Sequence, residues 1–352
     1  MATYVCTDEL FLNHRPLGEH PERPERLQAI LGALAASELR GRYRQLAPRP
    51  ATDEELQRVH TADYLHDLFK RMGDSSPKGS GWLDPDTYYG PGTYQAALNA
   101  AGGTVELALR ILKSPGDNGF ALVRPPGHHA SAGHAMGFCL LNNIAVAAAA
   151  ARAQGARVAI VDFDVHHGNG TEEIFAADSS MLFVSSHQFP FYPGTGAVTA
   201  VGQGHARGTK INIPLPEGSA GPEFRLAWKR IVVPALRRFA PDLILVSAGF
   251  DGHARDPLAG MALHEDDYAQ LVHLMLQVQP RLCAVLEGGY NLSALAACVL
   301  AVLRVLIDPA GYAAGSHDAG QPVAAEARLA IAEVVKLHNL TQVWLRADLG
   351  LT

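Results

Sequence analysis

Short runs rich in valine, isoleucine and leucine recur along the chain, each giving way to a loop rich in glycine, histidine and aspartate and then to a stretch of helical period. This alternation calls for parallel strands joined by crossover helices. Strands are expected at 119–124, 157–163, 181–186, 242–248 and 282–287, with Lys210 to Leu215 as another. Their near-continuous apolar character predicts a sheet covered on both faces, hence a three-layer αβα architecture around a mainly parallel central sheet. Helices are expected near 93–112, 140–154, 222–239, 265–278 and 292–307. Pro241 after Phe239-Ala240 marks one stop, and Asn291 or Ser293 caps the last helix. Residues 72–92, containing Gly73, Pro77, Gly79, Gly81, Pro85, Gly90 and Pro91, are expected to form a loop.

A chain of 352 residues is long enough for one large α/β domain or two ordinary ones, and the evenly globular character of its segments favours one, residues 1–352. Hydrophobic residues at 48% and charged residues at 18% exclude a disordered or fibrous protein. A net charge of −6 without a basic run gives no footing for nucleic acid phosphates. Cys6, Cys139, Cys283 and Cys298 lack CxxC spacing, which argues against a disulfide framework or a zinc ribbon and fits a reducing, cytoplasmic compartment. The first ten residues show no basic segment leading into an apolar one, so no signal peptide is expected. Leu292 to Ile307 is interrupted by Arg304 and falls short of the about 18 apolar residues of a membrane span, so it reads as a buried helix.

The chemistry concentrates at the ends of the expected strands. After Val158-Ala159-Ile160-Val161 comes Asp162-Phe163-Asp164-Val165-His166-His167-Gly168-Asn169-Gly170, and in an extended strand Asp162, Asp164 and His166 share one face. Carboxylate and imidazole donors in that ladder suit a divalent ion of intermediate softness, with Zn²⁺ the leading candidate. Arg124-Pro-Pro-Gly-His128-His129, Ser247-Ala-Gly-Phe-Asp251 and Glu287-Gly-Gly-Tyr290 follow other strands in the same manner. Each motif alone is also compatible with a polar loop, a helix cap or a turn. Four of them at strand ends predict a single cleft, because ligands of open α/β sheets bind outside the carboxyl ends of the strands.

These segments resemble the zinc-dependent histone deacetylase family, of the arginase/deacetylase fold, and look closest to its class II branch and to bacterial histone deacetylase-like amidohydrolases. The resemblance also runs through His20-Pro-Glu-Arg-Pro-Glu-Arg26, Val59-His60-Thr-Ala-Asp-Tyr64, Gly137-Phe138-Cys139 and Pro193-Gly-Thr195, leaving only the last 35 or so residues without information. It implies a single deacetylase domain in which Asp164, His166 and Asp251 bind one Zn²⁺ per chain, with a position left for water and substrate. His128 and His129 then correspond to the family's paired histidines, Tyr290 to its catalytic tyrosine, and Asp162 to the carboxylate that orients the first histidine. It further implies a structural K⁺ on backbone carbonyls of Asp162, Asp164 and His166 with Ser185 and Ser186. Phe138 and Tyr192, the latter where phenylalanine is usual, would wall a tunnel for the lysine methylenes beside Gly137. Asp86 and Thr87 are read as rim residues that hydrogen-bond the substrate backbone.

Asn169 stands where the class I branch has an aspartate, and class II resembles this chain in having asparagine. A neutral amide fixes the tautomer of His129 without adding charge. In the similar polyamine-deacetylating branch a rim glutamate attracts a second cationic centre; Leu258 offers no charge there, which tilts the reading toward acyl-lysine in peptides or proteins. An acetylated polyamine or other small amine stays open as substrate, as does a homo-oligomer. A two-manganese ureohydrolase fits Asn169 and Tyr290 poorly, and a non-enzymatic acyl-lysine binder would have no need of both histidines, Asp162 and Tyr290. No GxGxxG or P-loop lysine supports nucleotide binding.

Overall fold

The computed structural model describes residues 1–73, 79–312 and 321–341. Its strands are β1 (Thr3–Cys6), β2 (Arg44–Leu46), β3 (Gly81–Asp84), β4 (Thr87–Tyr89), β5 (Asn118–Ala121), β6 (Val158–Asp162), β7 (Met181–Gln188), β8 (Lys210–Leu215), β9 (Leu243–Ala248) and β10 (Leu282–Leu286). Eight of them form one sheet in the order β2-β1-β5-β10-β9-β6-β7-β8, and every pairing in it is parallel. All residues of β6, β9 and β10 are buried, as a sheet covered on both faces requires. Each such Val, Ile or Leu contributes about 1.5–3 kcal/mol when fully removed from water.

The helices are α1 (Glu25–Ala36), α2 (Asp53–Gln57), α3 (Ala62–Met72), α4 (Thr93–Lys113), α5 (Asn143–Ala153), α6 (Asn169–Ile174), α7 (Gly221–Ala227), α8 (Val233–Phe239), α9 (Glu265–Leu276), α10 (Leu292–Ile307) and α11 (Ala325–Thr341). They flank the sheet, with α4 packed on α5 and with α1, α10 and α9 forming a second group. Asn291 caps α10 by accepting from Ala294 N at 3.1 Å, so of the two expected caps it is the asparagine that serves. The stop before Pro241 falls at Phe239, with Ala240 in the left-handed region at φ 49.

Three expectations need correction. Residues 72–92 are not all loop, because β3 and β4 pair antiparallel across Pro85, where Trp82, Tyr88 and Tyr89 supply strand-forming side chains; Pro77 lies outside the described residues. The helix expected at 222–239 is broken by a π turn at Trp228–Val232, since Pro234 has no N–H to give to the ladder of bonds. The strand expected to hold Asp162, Asp164 and His166 on one extended face ends at Asp162, and the two later residues lie in bends, where Asp162 Oδ1 accepts from Asp164 N at 3.0 Å and Asp164 Oδ1 from His166 N at 2.9 Å. In the last stretch, on which the sequence carries no expectation, α11 packs on β8 and buries Ala327, Ile331 and Val334, covering a strand at the sheet's edge. The four cysteines are buried and unpaired, and among the described residues no helix is long and apolar enough to cross a membrane.

Candidate active site

Because β5, β10, β9, β6 and β7 are neighbours in the sheet, the loops leaving their carboxyl ends share one edge. Asp164 and His166 follow β6, Asp251 follows β9, and one ligand atom from each lies within 4.8 Å of the others. His166 Nδ1 stands 3.2 Å from Asp164 Oδ1 and 3.0 Å from Asp251 Oδ2. Outer partners aim the carboxylates: Gly288 N donates to Asp164 Oδ2 at 2.8 Å and Val165 N to Asp251 Oδ1 at 2.9 Å. Both glycines near the donors are required by space, since a Cβ at Gly249 would lie 1.8 Å from Asp164 Oδ2 and one at Gly288 2.1 Å from Asp251 Oδ2.

Two fully buried carboxylates facing one imidazole concentrate negative charge where water cannot screen it. Burial and the Asp164 charge push Asp251 up to about 7. Burial alone would lower His166, yet Asp251 and Asp164 lift it to about 10. Three donors of O, N and O type this close together could hold a divalent metal with a further position left open. A second group, His253, His264 and Glu265, is also close enough to hold an ion. There His253 Nδ1 accepts from Arg255 N at 3.0 Å, so its Nε2 keeps the proton, and Arg255 already pairs with Glu265 at 2.9 Å. That loop is ion-paired rather than metal-ready.

The histidine doublet arrives on the loop after β5, fastened by Asn142, which caps α5 through Ala145 N at 3.0 Å and donates to Ala130 O at 2.9 Å. His128 Nδ1 donates to Asp162 Oδ2 at 3.0 Å, and His129 Nδ1 to Asn169 Oδ1 at 2.7 Å, leaving each Nε2 for the site. The rings are 4.0 Å apart but titrate differently. Burial opposes charge on both. Asp164 and Asp162 nevertheless raise His128 to about 10, whereas His128 and His166 drive His129 further down, well below the usual histidine range. A pair split in this way can divide electrostatic and proton-transfer work.

Above these groups opens a slot of about 240 Å³. Phe138 leans on Tyr290 with ring centroids 5.9 Å apart, and Tyr192 on His129 at 5.3 Å, so the two expected wall residues do face the cleft. Phe138 adopts φ 68, an unfavourable value for a bulky residue, and is held there by Thr87 Oγ1, which accepts from Phe138 N at 3.1 Å. Asp86 Oδ1 accepts from Gly137 N at 3.0 Å and from Thr87 Oγ1 at 2.8 Å. Asp86, Gly137 and Leu258 line the slot; Thr87 is fully buried and fixes the wall instead of meeting substrate at the rim. Ser185 and Ser186 lie beneath on β7, Ser186 Oγ 3.5 Å from Asp162 O and Ser185 Oγ 2.9 Å from His187 Nδ1.

Several residues of the site carry no motif-level signal of their role. Phe191 stacks on His166 at 5.3 Å. Asp256 Oδ2 accepts from Tyr290 N at 2.6 Å and Asn291 N at 3.1 Å, and its Oδ1 from Leu258 N at 3.0 Å. An aspartate before Pro257 hints at a turn, but only the tertiary structure shows that it clamps the tyrosine loop. Glu287 Oε2 accepts from Gly127 N at 2.7 Å and His128 N at 3.2 Å, tying that loop to the histidine loop.

A histone deacetylase domain is matched by residues 20–306. Histone deacetylase 10, chloroplastic, of Oryza sativa subsp. japonica is 40% identical over 346 residues, covering 91% of this chain and 78% of that protein. Histone deacetylase 15 of Arabidopsis thaliana is 41% identical over 87% of this chain, which spans only 57% of its length. The histone deacetylase-like amidohydrolase of Pseudomonas aeruginosa is 41% identical over 82% of this chain and 77% of its own. In three dimensions the HD domain of HDA15 superposes with a TM-score of 0.90 at 36% identity, over 99% of this chain and 97% of that one.

Proposed function

The chain belongs to the histone deacetylase family of hydrolases, and from that footing we propose that it is a zinc-dependent deacetylase removing acetyl or longer acyl groups from lysine side chains of proteins or peptides. One observation carries this reading: His166 of the three-donor nest, the histidine pair and Tyr290 all line one slot whose walls include Phe138 and Tyr192. Asp164, His166 and Asp251 would hold the zinc. When bound there, zinc polarises an amide carbonyl and acidifies water.

The remaining work falls to side chains. Phe138 and Tyr192 grip an apolar stem of methylenes between their faces. Neutral His129 takes a proton at Nε2 from the attacking water and returns it to the departing amine, which leaves poorly unless protonated; such proton transfer is worth about 10²–10⁴ in rate. His128, held by Asp162, contributes positive charge near the developing oxyanion. Tyr290 donates its hydroxyl to that oxyanion. The buried serine and carbonyl oxygens around Asp162 have the hard, neutral character that K⁺ prefers, and we assign the structural K⁺ to the carbonyls of Asp162, Asp164 and His166 with Ser185 and Ser186. We take residues 1–352 as one deacetylase domain working in a reducing, cytoplasmic compartment, which the four free cysteines support.

Asn169 makes a pH prediction. A carboxylate at this position adds a negative charge beside His129 and raises its pKa, so the neutral base forms only at higher pH. In Asn169→Asp the acidic limb of the kcat/KM profile therefore moves upward by about 1–3 pH units; an unmoved limb contradicts the pairing of these residues. The substrate class is tested with acetyl-lysine peptides, longer acyl-lysines and acetylated polyamines compared by kcat/KM. Uncharged Leu258 at the slot supports peptides winning. A preference for acetylated polyamines would move the assignment to a small-amine amidohydrolase.

A further inference from the structure

We propose that Glu22, which does not touch the slot, is a positioning residue that fixes Tyr290 through Arg26. Glu22 is fully buried. Burial would keep it protonated, but Arg124 holds it ionised, far below the usual carboxylate range. Its Oε1 accepts from Arg124 Nε at 2.5 Å and Arg26 Nη1 at 3.2 Å, its Oε2 from Arg124 Nη2 at 2.7 Å and the Tyr88 hydroxyl at 2.9 Å. Both oxygens are occupied by groups that are themselves buried, Arg26, Arg124 and Tyr88.

Arg26 carries that rigidity to the site. Its Nε donates to Gly289 O at 2.7 Å and its Nη2 to Glu287 O at 2.5 Å, while its guanidinium carbon lies 4.9 Å over the Tyr290 ring. A planar guanidinium can span two carbonyls and stack on an aromatic face together; an ammonium cannot. The restraint falls where the chain most lacks one of its own: Gly288-Gly289 has no side chains to pack, and Gly289 sits at φ 117. Buried ion clusters are a poor route to stability, since apolar replacements are often as stable or more so. A cluster whose far end grips the backbone on either side of the tyrosine's support is explained by placement. Arg124 further anchors the first residue of the histidine loop to the same carboxylate.

This inference rests on the deacetylase reading, and it is tested by a double-mutant cycle on the full chain with an acetyl-lysine peptide. Glu22→Gln keeps the shape but turns an acceptor into a donor facing a guanidinium. It is expected to lower kcat by about 10- to 100-fold through misplacement of Tyr290, with KM and bound metal nearly unchanged. In a Tyr290→Phe background the same substitution costs less than about twofold, because the hydroxyl it places is gone. Amide hydrogen exchange at 287–291 speeds up while that of β10 does not. Additive losses, unaltered kcat or unaltered exchange would overturn the proposal. If Glu22→Gln does not fold, Arg26→Lys, which keeps a cation for Glu22 but cannot bridge both carbonyls, must show the same non-additivity; additivity there is equally fatal. A wild-type chain inert toward every acylated amine overturns this inference together with the proposed function, whereas an active wild type with additive losses overturns this inference alone.

Discussion

Asp251→Asn yields a folded protein that neither retains metal nor turns over substrate. The asparagine oxygen can still accept from Val165 N, the bond that Asp251 Oδ1 makes at 2.9 Å, so the loop keeps its anchor. What disappears is the charge at Oδ2, 3.0 Å from His166 Nδ1. With one of three ligands neutralised, metal affinity falls by more than the about 10–100-fold typical of losing an outer partner. Turnover drops to background with it. Thermal stability of the metal-free variant changes little, because relief of the repulsion between two buried carboxylates offsets the lost pairing of Asp251 with His166. Elemental analysis, a peptide assay and a thermal melt check all three; retained metal with normal turnover would remove Asp251 from the site.

Tyr290→Phe separates chemistry from metal binding. The ring keeps its place between Arg26 and Phe138, with contacts of 4.9 and 5.9 Å that need no hydroxyl. Loss of one oxyanion donor costs about 3–4 kcal/mol, hence at least about a hundredfold in kcat. Metal content is expected to equal that of wild type. A variant with near wild-type kcat contradicts a role for the hydroxyl, and one that loses metal shows that the tyrosine serves the nest instead.

Much of this arrangement is legible in the chain because it is local. Val158–Asp162 announces a buried strand by unbroken hydrophobicity, and the residue types at 162, 164 and 166 mark the donors, although local hydrogen bonds after the strand's end, from Asp164 N to Asp162 Oδ1 at 3.0 Å and from His166 N to Asp164 Oδ1 at 2.9 Å, place them and not an extended face. Strands β1 and β2 escape notice since they are short and β2 is mostly exposed; their pairing with the sheet is a tertiary fact. The hairpin of β3 and β4 hides among glycines and prolines that ordinarily spell loop. Within the site, residue types show which groups can bind metal or move protons, but not what orients them. Glu22 meets Arg124 across 102 residues and Asp256 reaches Tyr290 across 34, and no periodicity records such pairs. Thr87 shows the reverse error: a hydroxyl expected at the rim is spent on holding Phe138.

Titrating zinc back into chelator-stripped protein while following hydrolysis of an acetyl-lysine peptide tests the central claim most directly. Turnover should return linearly and saturate at one zinc per chain. Saturation at two metal ions per chain, or full turnover in protein stripped of metal, would contradict a single catalytic ion held by Asp164, His166 and Asp251.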